Sequence, residues 1–140
     1  MKVLLGRRAV AISLLCASLL HNAEESITFA RYRPAAQKLV YGVAGPNVLF
    51  PTPTAFRLAL LVVTAAVAAC LIWASSGKSS PAKERGITLV ALMLLLNVFV
   101  PHVPAAFAFG GYAPGLVTAV LVNLPLATLV LLKRRRRAAH

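Results

Sequence analysis

One five-residue run, His21-Asn22-Ala23-Glu24-Glu25, puts an imidazole and two carboxylates close together. On a helix His21 neighbours Glu24 at i+3 and Glu25 at i+4, so the three share roughly one face. A second imidazole, His102, lies far along the chain in another apolar stretch. Two imidazoles and two carboxylates form a ligand set for Zn²⁺ or for a pair of iron or manganese ions. The same set suits general acid-base work on a lipid-soluble substrate. His21, Glu24, Glu25 and His102 are therefore the candidate catalytic and metal-ligating residues. A structural reading stays open beside this one: Glu24 and Glu25 pairing with Arg31, Arg33 or Arg57 at a headgroup level, with His21 snorkelling.

The elements that position these groups are apolar helices. Of 140 residues, 59% are hydrophobic and 13% charged, with three acids in all, whereas soluble domains carry about 25% charged residues. The net charge of +12 does not point to nucleic acid, because the basic residues flank apolar runs and no stacking aromatic cluster accompanies them. Cys16 and Cys70 lie inside apolar stretches without metal or disulfide spacing and read as small packing residues. Three runs meet the requirement of about 20 apolar residues for a hydrocarbon core of roughly 30 Å. The first run, from Ala9, must continue past Leu20 to span, and so carries the His21–Glu25 motif with it. The predicted class is all-α: a polytopic membrane protein with four transmembrane helices at about 9–29, 55–74, 87–107 and 112–132. Residues 1–140 then form a single domain.

Lys2, Arg7 and Arg8 before Ala9–Leu20 resemble the start of a signal peptide. A cut before Glu24 would leave His21 at minus three, a poor cleavage site, so the segment is expected to be retained. Lys2, Arg7, Arg8, Lys78, Lys83, Arg85 and the run Lys133–Arg137 fall on one side of a four-pass chain, which places both termini in the cytoplasm. Arg31, Arg33, Lys38 and Arg57 fall near the outer segment 31–54. Its prolines and glycines, among them Pro34, Pro46, Pro51, Pro53, Gly42 and Gly45, predict a loop rather than a continuous helix. The basic tail 133–140 is expected to be a stop signal in contact with anionic headgroups, with a docking site for a partner as the alternative.

Counting from Ala9 at ~1.5 Å per residue puts His21 ~18 Å and Glu25 ~24 Å from the inner surface; counting from Ile87 puts His102 ~22 Å up. The two histidines are thus expected at one level. Arg57 is placed to reach Glu24 or Glu25 as an anion anchor, and Tyr112 enters the fourth helix close by. Asn97 and Asn123 are expected to hydrogen-bond one another at mid-membrane depth as bundle glue. Gly110, Gly111 and Gly115 are expected to shape the outer turn.

The motif His21-Asn22-Ala23-Glu24-Glu25 at the end of a first apolar helix resembles the HXXEE family of bacterial four-helix integral membrane proteins. Thr54-Ala55-Phe56-Arg57-Leu58-Ala59, His102 and Tyr112-Ala113-Pro114-Gly115-Leu116-Val117-Thr118-Ala119 carry the resemblance along nearly the whole chain. It implies the four-helix topology, a multi-pass place in the bacterial inner membrane and the choice of site residues. Two features depart from the family pattern: Ala106 stands where a second third-helix histidine is described, and Asn123-Leu124-Pro125 replaces an adjacent Asn-Pro pair.

Two classes of function follow. The first is a membrane-embedded enzyme acting on a lipid or other apolar substrate near the outer leaflet, with zinc or another divalent metal held by the His/Glu/Glu/His set. The second is a non-enzymatic transporter subunit, proton-coupled carrier or assembly protein, with a homo-oligomer building the pore and the same residues forming a structural or proton-conducting cluster.

Overall fold

A computed structural model describes residues 6–138 and is all-α over that range. Lys2 and the last two residues of the basic tail lie outside the described residues. The chain runs α1 (Arg7–Ala44), α2 (Pro53–Ser75) and α3 (Pro81–Asn97); a kink over Val98–His102 then leads into α4 (Val103–Ala108). A glycine-rich turn follows. The last rod is α5 (Leu116–Thr118), a π-helical turn (Ala119–Asn123) and α6 (Leu124–Ala138). Three stretches are long and apolar enough to cross a membrane: Pro53–Ser75, Pro81–Ala108 and Leu116–Arg136. In α1 the apolar run is broken by the motif itself.

The ends of α2 and α3 follow from capping chemistry. Thr52 and Ser80 each accept a hydrogen bond from the third residue onward, Ala55 and Lys83, and a proline fills the first helical position after each. That position has no intrahelical use for an N–H. Helix α3 accordingly starts at Pro81, six residues before the predicted boundary at residue 87.

The core is built from a stripe of mostly small and aliphatic residues: Ala11, Leu14 and Ala17 of α1, Val67, Leu71 and Ala74 of α2, Ile87, Val90, Ala91 and Leu94 of α3, and Ala127 and Val130 of α6. Small side chains let helices approach closely where lipid supplies no hydrophobic drive between them. At Gly86 an added Cβ would meet the Trp73 ring at 3.3 Å and Cys70 Sγ at 3.5 Å, so α2 and α3 are in contact there. On α1 the inward positions step by threes and fours through the buried Ala11, Leu14, Ser18 and His21, then through the partly buried Glu25 to the buried Phe29. The site motif is the continuation of the core stripe.

The outer segment corrects the expected loop over 31–54. Helix α1 passes through Pro34 and ends only at Ala44. Proline removes one backbone hydrogen bond, and side chains at i+4 spacing bridge the weak turn: Arg33 donates to Gln37 at 3.2 Å and Gln37 to the Tyr41 hydroxyl at 2.8 Å. The following segment folds back on this extension. Arg33 Nε donates to the Pro51 carbonyl at 2.8 Å, and Phe29 stacks on Phe56 with centroids 3.8 Å apart. The helix stops at Gly45, whose φ of 87° is a conformation other residues avoid. The fourth rod also differs from the predicted 112–132. It begins at Leu116, leaving Tyr112 in the turn, and continues through the basic residues to Ala138.

Candidate metal centre

His21 and His102 are almost wholly buried, 1% and 2% exposed, and their rings meet edge to face with centroids 4.7 Å apart. The two Nε2 atoms are 3.1 Å apart. Glu25 Oε1 completes a triangle, 3.5 Å from His102 Nε2 and 3.9 Å from His21 Nε2. Tetrahedral Zn²⁺ with bonds of about 2.0–2.1 Å sets its ligand atoms roughly 3.3 Å apart. The triangle is therefore close to the size of a zinc ligand face, and these are the donor types of a three-ligand site with a fourth position left for water.

His102 reaches this point through an irregularity in its helix. Residues five apart on an α-helix are separated by about 140°, so Asn97 and His102 would face different neighbours. A kink over Val98–His102 closes that angle. Val100 within it leaves helical geometry at φ −145°, ψ 112°, as suits a residue preceding proline. Asn97 Nδ2 consequently donates to both His21 Nε2 at 2.7 Å and His102 Nε2 at 3.1 Å. Its N–H groups point at the two lone pairs that a cation would engage.

Glu24 makes a separate set of contacts, outside the cluster of three ligand atoms. Its carboxylate accepts from the Tyr112 hydroxyl at 2.6 Å, Val117 N at 3.2 Å, Thr118 N at 2.8 Å and Thr118 Oγ1 at 2.5 Å. Four donors occupy the acceptor sites of one carboxylate, and the cluster of ligand atoms within 4.8 Å of one another consists of His21, Glu25 and His102. Glu24 binds the start of α5, whose first backbone N–H groups have no helical partner. Thr118 then connects it to the centre: His21 Nδ1 lies 3.0 Å from Thr118 Oγ1. The threonine proton goes to Glu24, so Oγ1 accepts from Nδ1–H and His21 Nε2 is left as a bare lone pair.

Gly115 closes the centre from above. It has φ 79°, and an added Cβ would lie 2.7 Å from Glu25 Cγ and His21 Cε1 and 2.8 Å from His102 Cε1. Residue order marks this glycine only as part of a turn and gives Thr118 no role beyond its place in the run Tyr112-x-Pro114-Gly115-x-x-Thr118, yet Tyr112, Gly115 and Thr118 all converge on the motif.

Other expected contacts are replaced. Arg57 Nε donates to the Ser26 carbonyl at 3.4 Å, and among the described residues neither Arg31, Arg33 nor Arg57 forms an ion pair with Glu24 or Glu25. Asn97 is occupied by the histidines, so the expected Asn97–Asn123 bond is not formed. Asn123 is fully buried, with neither amide atom partnered among the described residues. A cavity of about 370 Å³ is lined by Val103, Ala106, Phe107, Gly110, Gly111 and Leu116. Val103 and Leu116 directly follow His102 and Gly115, and Ala106 stands there in place of the second histidine of the family pattern.

A family described as "Protein of unknown function with HXXEE motif" matches residues 12–130, a range that includes every residue of this centre. The chain belongs to the HXXEE family. It is also similar to the "Uncharacterized protein YrkK" of Bacillus subtilis (strain 168), at 30% identity over 113 residues, covering 80% of this chain and 66% of that relative. No solved structure matches the chain. Within the HXXEE motif the geometry separates the letters: His21 and Glu25 face the centre, while Glu24 ties the helix to the turn before α5.

Proposed function

We propose that this HXXEE protein is a four-pass protein of the bacterial inner membrane, with both termini in the cytoplasm. In this reading His21, Glu25 and His102 hold a divalent cation, zinc foremost, in an enzyme acting on a lipid or other apolar substrate. The observation that carries the reading is the convergence of two buried imidazole nitrogens and a partly buried carboxylate oxygen on a triangle of 3.1, 3.5 and 3.9 Å. Buried ionisable groups in a membrane bundle are costly unless paired or functional, and no arginine compensates Glu25 among the described residues. Zinc with three protein ligands supplies a bound water whose pKa falls to about 7. The chain's own residues then do the rest. Glu24 and Thr118 fix the His21 tautomer, Gly115 permits the close approach, and the apolar cavity beside His102 offers room for the substrate. The basic residues of the first helix start, the 76–85 stretch and the tail gather at the other end of the bundle, which under the positive-inside rule supports an outer-leaflet position for the centre.

Elemental mass spectrometry on protein purified in detergent without chelators tests the reading. Near-stoichiometric metal in the wild type that is lost in a folded His102→Ala variant is the expected result; its absence from the wild type refutes the metal model. The direct Nε2–Nε2 contact of 3.1 Å also has hydrogen-bond length and favours a second reading, in which a proton takes the cation's place and the chain is a proton-coupled carrier. That reading predicts pH-dependent flux in liposomes from metal-free protein. Cysteines placed at Leu49 and Gly77 in a background lacking Cys16 and Cys70 test the topology: a membrane-impermeant thiol reagent applied to whole cells should label the first and spare the second.

A further inference from the structure

The opposite end of the bundle holds a second cavity, of about 90 Å³, between the start of α1, the start of α3 and the end of α6. Its walls include Val10, Leu126, Leu129 and Val130, and its rim carries Arg7, Glu84, Lys133 and Arg134. Leu126, Leu129, Val130 and Lys133 follow one another at spacings of three, one and three, a single face of α6 that passes from apolar to charged.

The charges on this rim are unbalanced. Glu84 is already engaged by Arg134 Nη1 at 2.8 Å and by Ser79 Oγ at 2.7 Å. The chain has three acids, and the other two, Glu24 and Glu25, are engaged around His21, Tyr112 and Thr118 at the other end of α1's core stripe. Arg7 directs Nη2 to the carbonyls of Ser75, Ser76 and Gly77 at the end of α2, while its Nη1 has no partner among the described residues. Lys133 is exposed and forms no ion pair among them. A surplus of cations above an apolar wall matches an anionic head joined to an alkyl chain.

We propose that this cleft binds one anionic phospholipid of the leaflet at the basic end, with its phosphate between Arg7 and Lys133 and an acyl chain along Leu126, Leu129 and Val130. The cleft lies apart from His21, Glu25 and His102 and does not depend on the metal reading. Its volume admits a phosphate group, and the alkyl chain runs on along the lipid-facing side of α6, where Leu129 is exposed.

Native mass spectrometry with phosphatidylglycerol and phosphatidylcholine titrated into the full-length protein tests this. The wild type should retain one phosphatidylglycerol at collision energies that strip phosphatidylcholine. Retention should fall about fivefold in Lys133→Gln, the effect of one cation at a lipid surface, and comparably in Leu129→Trp, which fills the wall without altering charge. Arg135→Gln/Arg136→Gln, which removes two charges outside the cleft, should leave it unchanged. Equal loss in that double variant would reduce the effect to diffuse attraction and overturn the proposal. Equal retention of phosphatidylcholine, or displacement of the lipid by millimolar inorganic phosphate, would overturn it as well, the latter by showing a site for soluble phosphate.

Discussion

Thr118 stands between Glu24 and His21, donating its hydroxyl proton to Glu24 Oε2 at 2.5 Å and facing His21 Nδ1 at 3.0 Å. A hydroxyl thus takes the place of the direct carboxylate–histidine contact that orients many metal-bound imidazoles. It couples the first acid of the motif to its histidine even though the acid holds no ligand position.

Thr118→Val keeps the shape of the side chain and removes the relay. Metal affinity should fall about 10–100-fold, the usual effect of losing an outer-shell partner, and Thr118→Ser should restore it. Competition with a chromophoric chelator measures both.

The two glutamates should separate cleanly. Glu25→Gln is expected to abolish stoichiometric metal with little change in unfolding midpoint. Glu24→Gln replaces an acceptor oxygen by an NH₂ group and leaves at least one donor of the α5 start unpaired, at about 1–3 kcal/mol, so it should lower the midpoint while keeping measurable metal affinity. Paired denaturation and metal titration of the two variants check this, and identical phenotypes would argue against the division of labour within the motif.

Gly115→Ala should be far more damaging than Gly110→Ala. Both glycines have positive φ, 79° and 71°, but nothing lies within 4 Å of a Cβ at Gly110, whereas at Gly115 it meets three site side chains below 3 Å. The strain of positive φ is shared, about 1–3 kcal/mol; the loss of the metal centre should be specific to Gly115. Thermal unfolding in detergent with and without added zinc distinguishes the two components.

Asn123 is buried with both amide atoms unpartnered among the described residues. Replacing an unsatisfied buried amide with an apolar side chain of similar size removes a desolvation cost of about 1–3 kcal/mol. Asn123→Leu should therefore raise the unfolding midpoint in mild detergent; a lower midpoint would mean that the amide holds a bound water or ion.

Much of this arrangement can be read from residue order alone. The apolar runs mark the rods, and the depth count from Ala9 and Ile87 brings His21 and His102 to one level, where they meet. The extension of α1 past Pro34 was illegible because proline reads as a breaker, and the contacts beyond it, Arg33 to Gln37 to Tyr41 along the helix and Tyr41 edge-on to Phe50 across from it, form only once the helix continues. Asn97 was misassigned for a related reason. At normal helical spacing it turns away from His102, and only the kink at Val100 brings the two together. Thr118 and Gly115 were hidden because a threonine and a glycine near a helix start are ordinary there; their meaning depends on what lies opposite.

The kink before α4 also makes the centre sensitive to chain length. Removing one residue between Val98 and Pro101 would take out part of the bend and turn the segment beyond it relative to α3. His102 would then face away from His21 although no residue of the triad had changed. Substitutions on the lipid side of this stretch, at Phe99 for example, should be tolerated, while single-residue insertions and deletions should not. What that stretch contributes is a count as much as a composition.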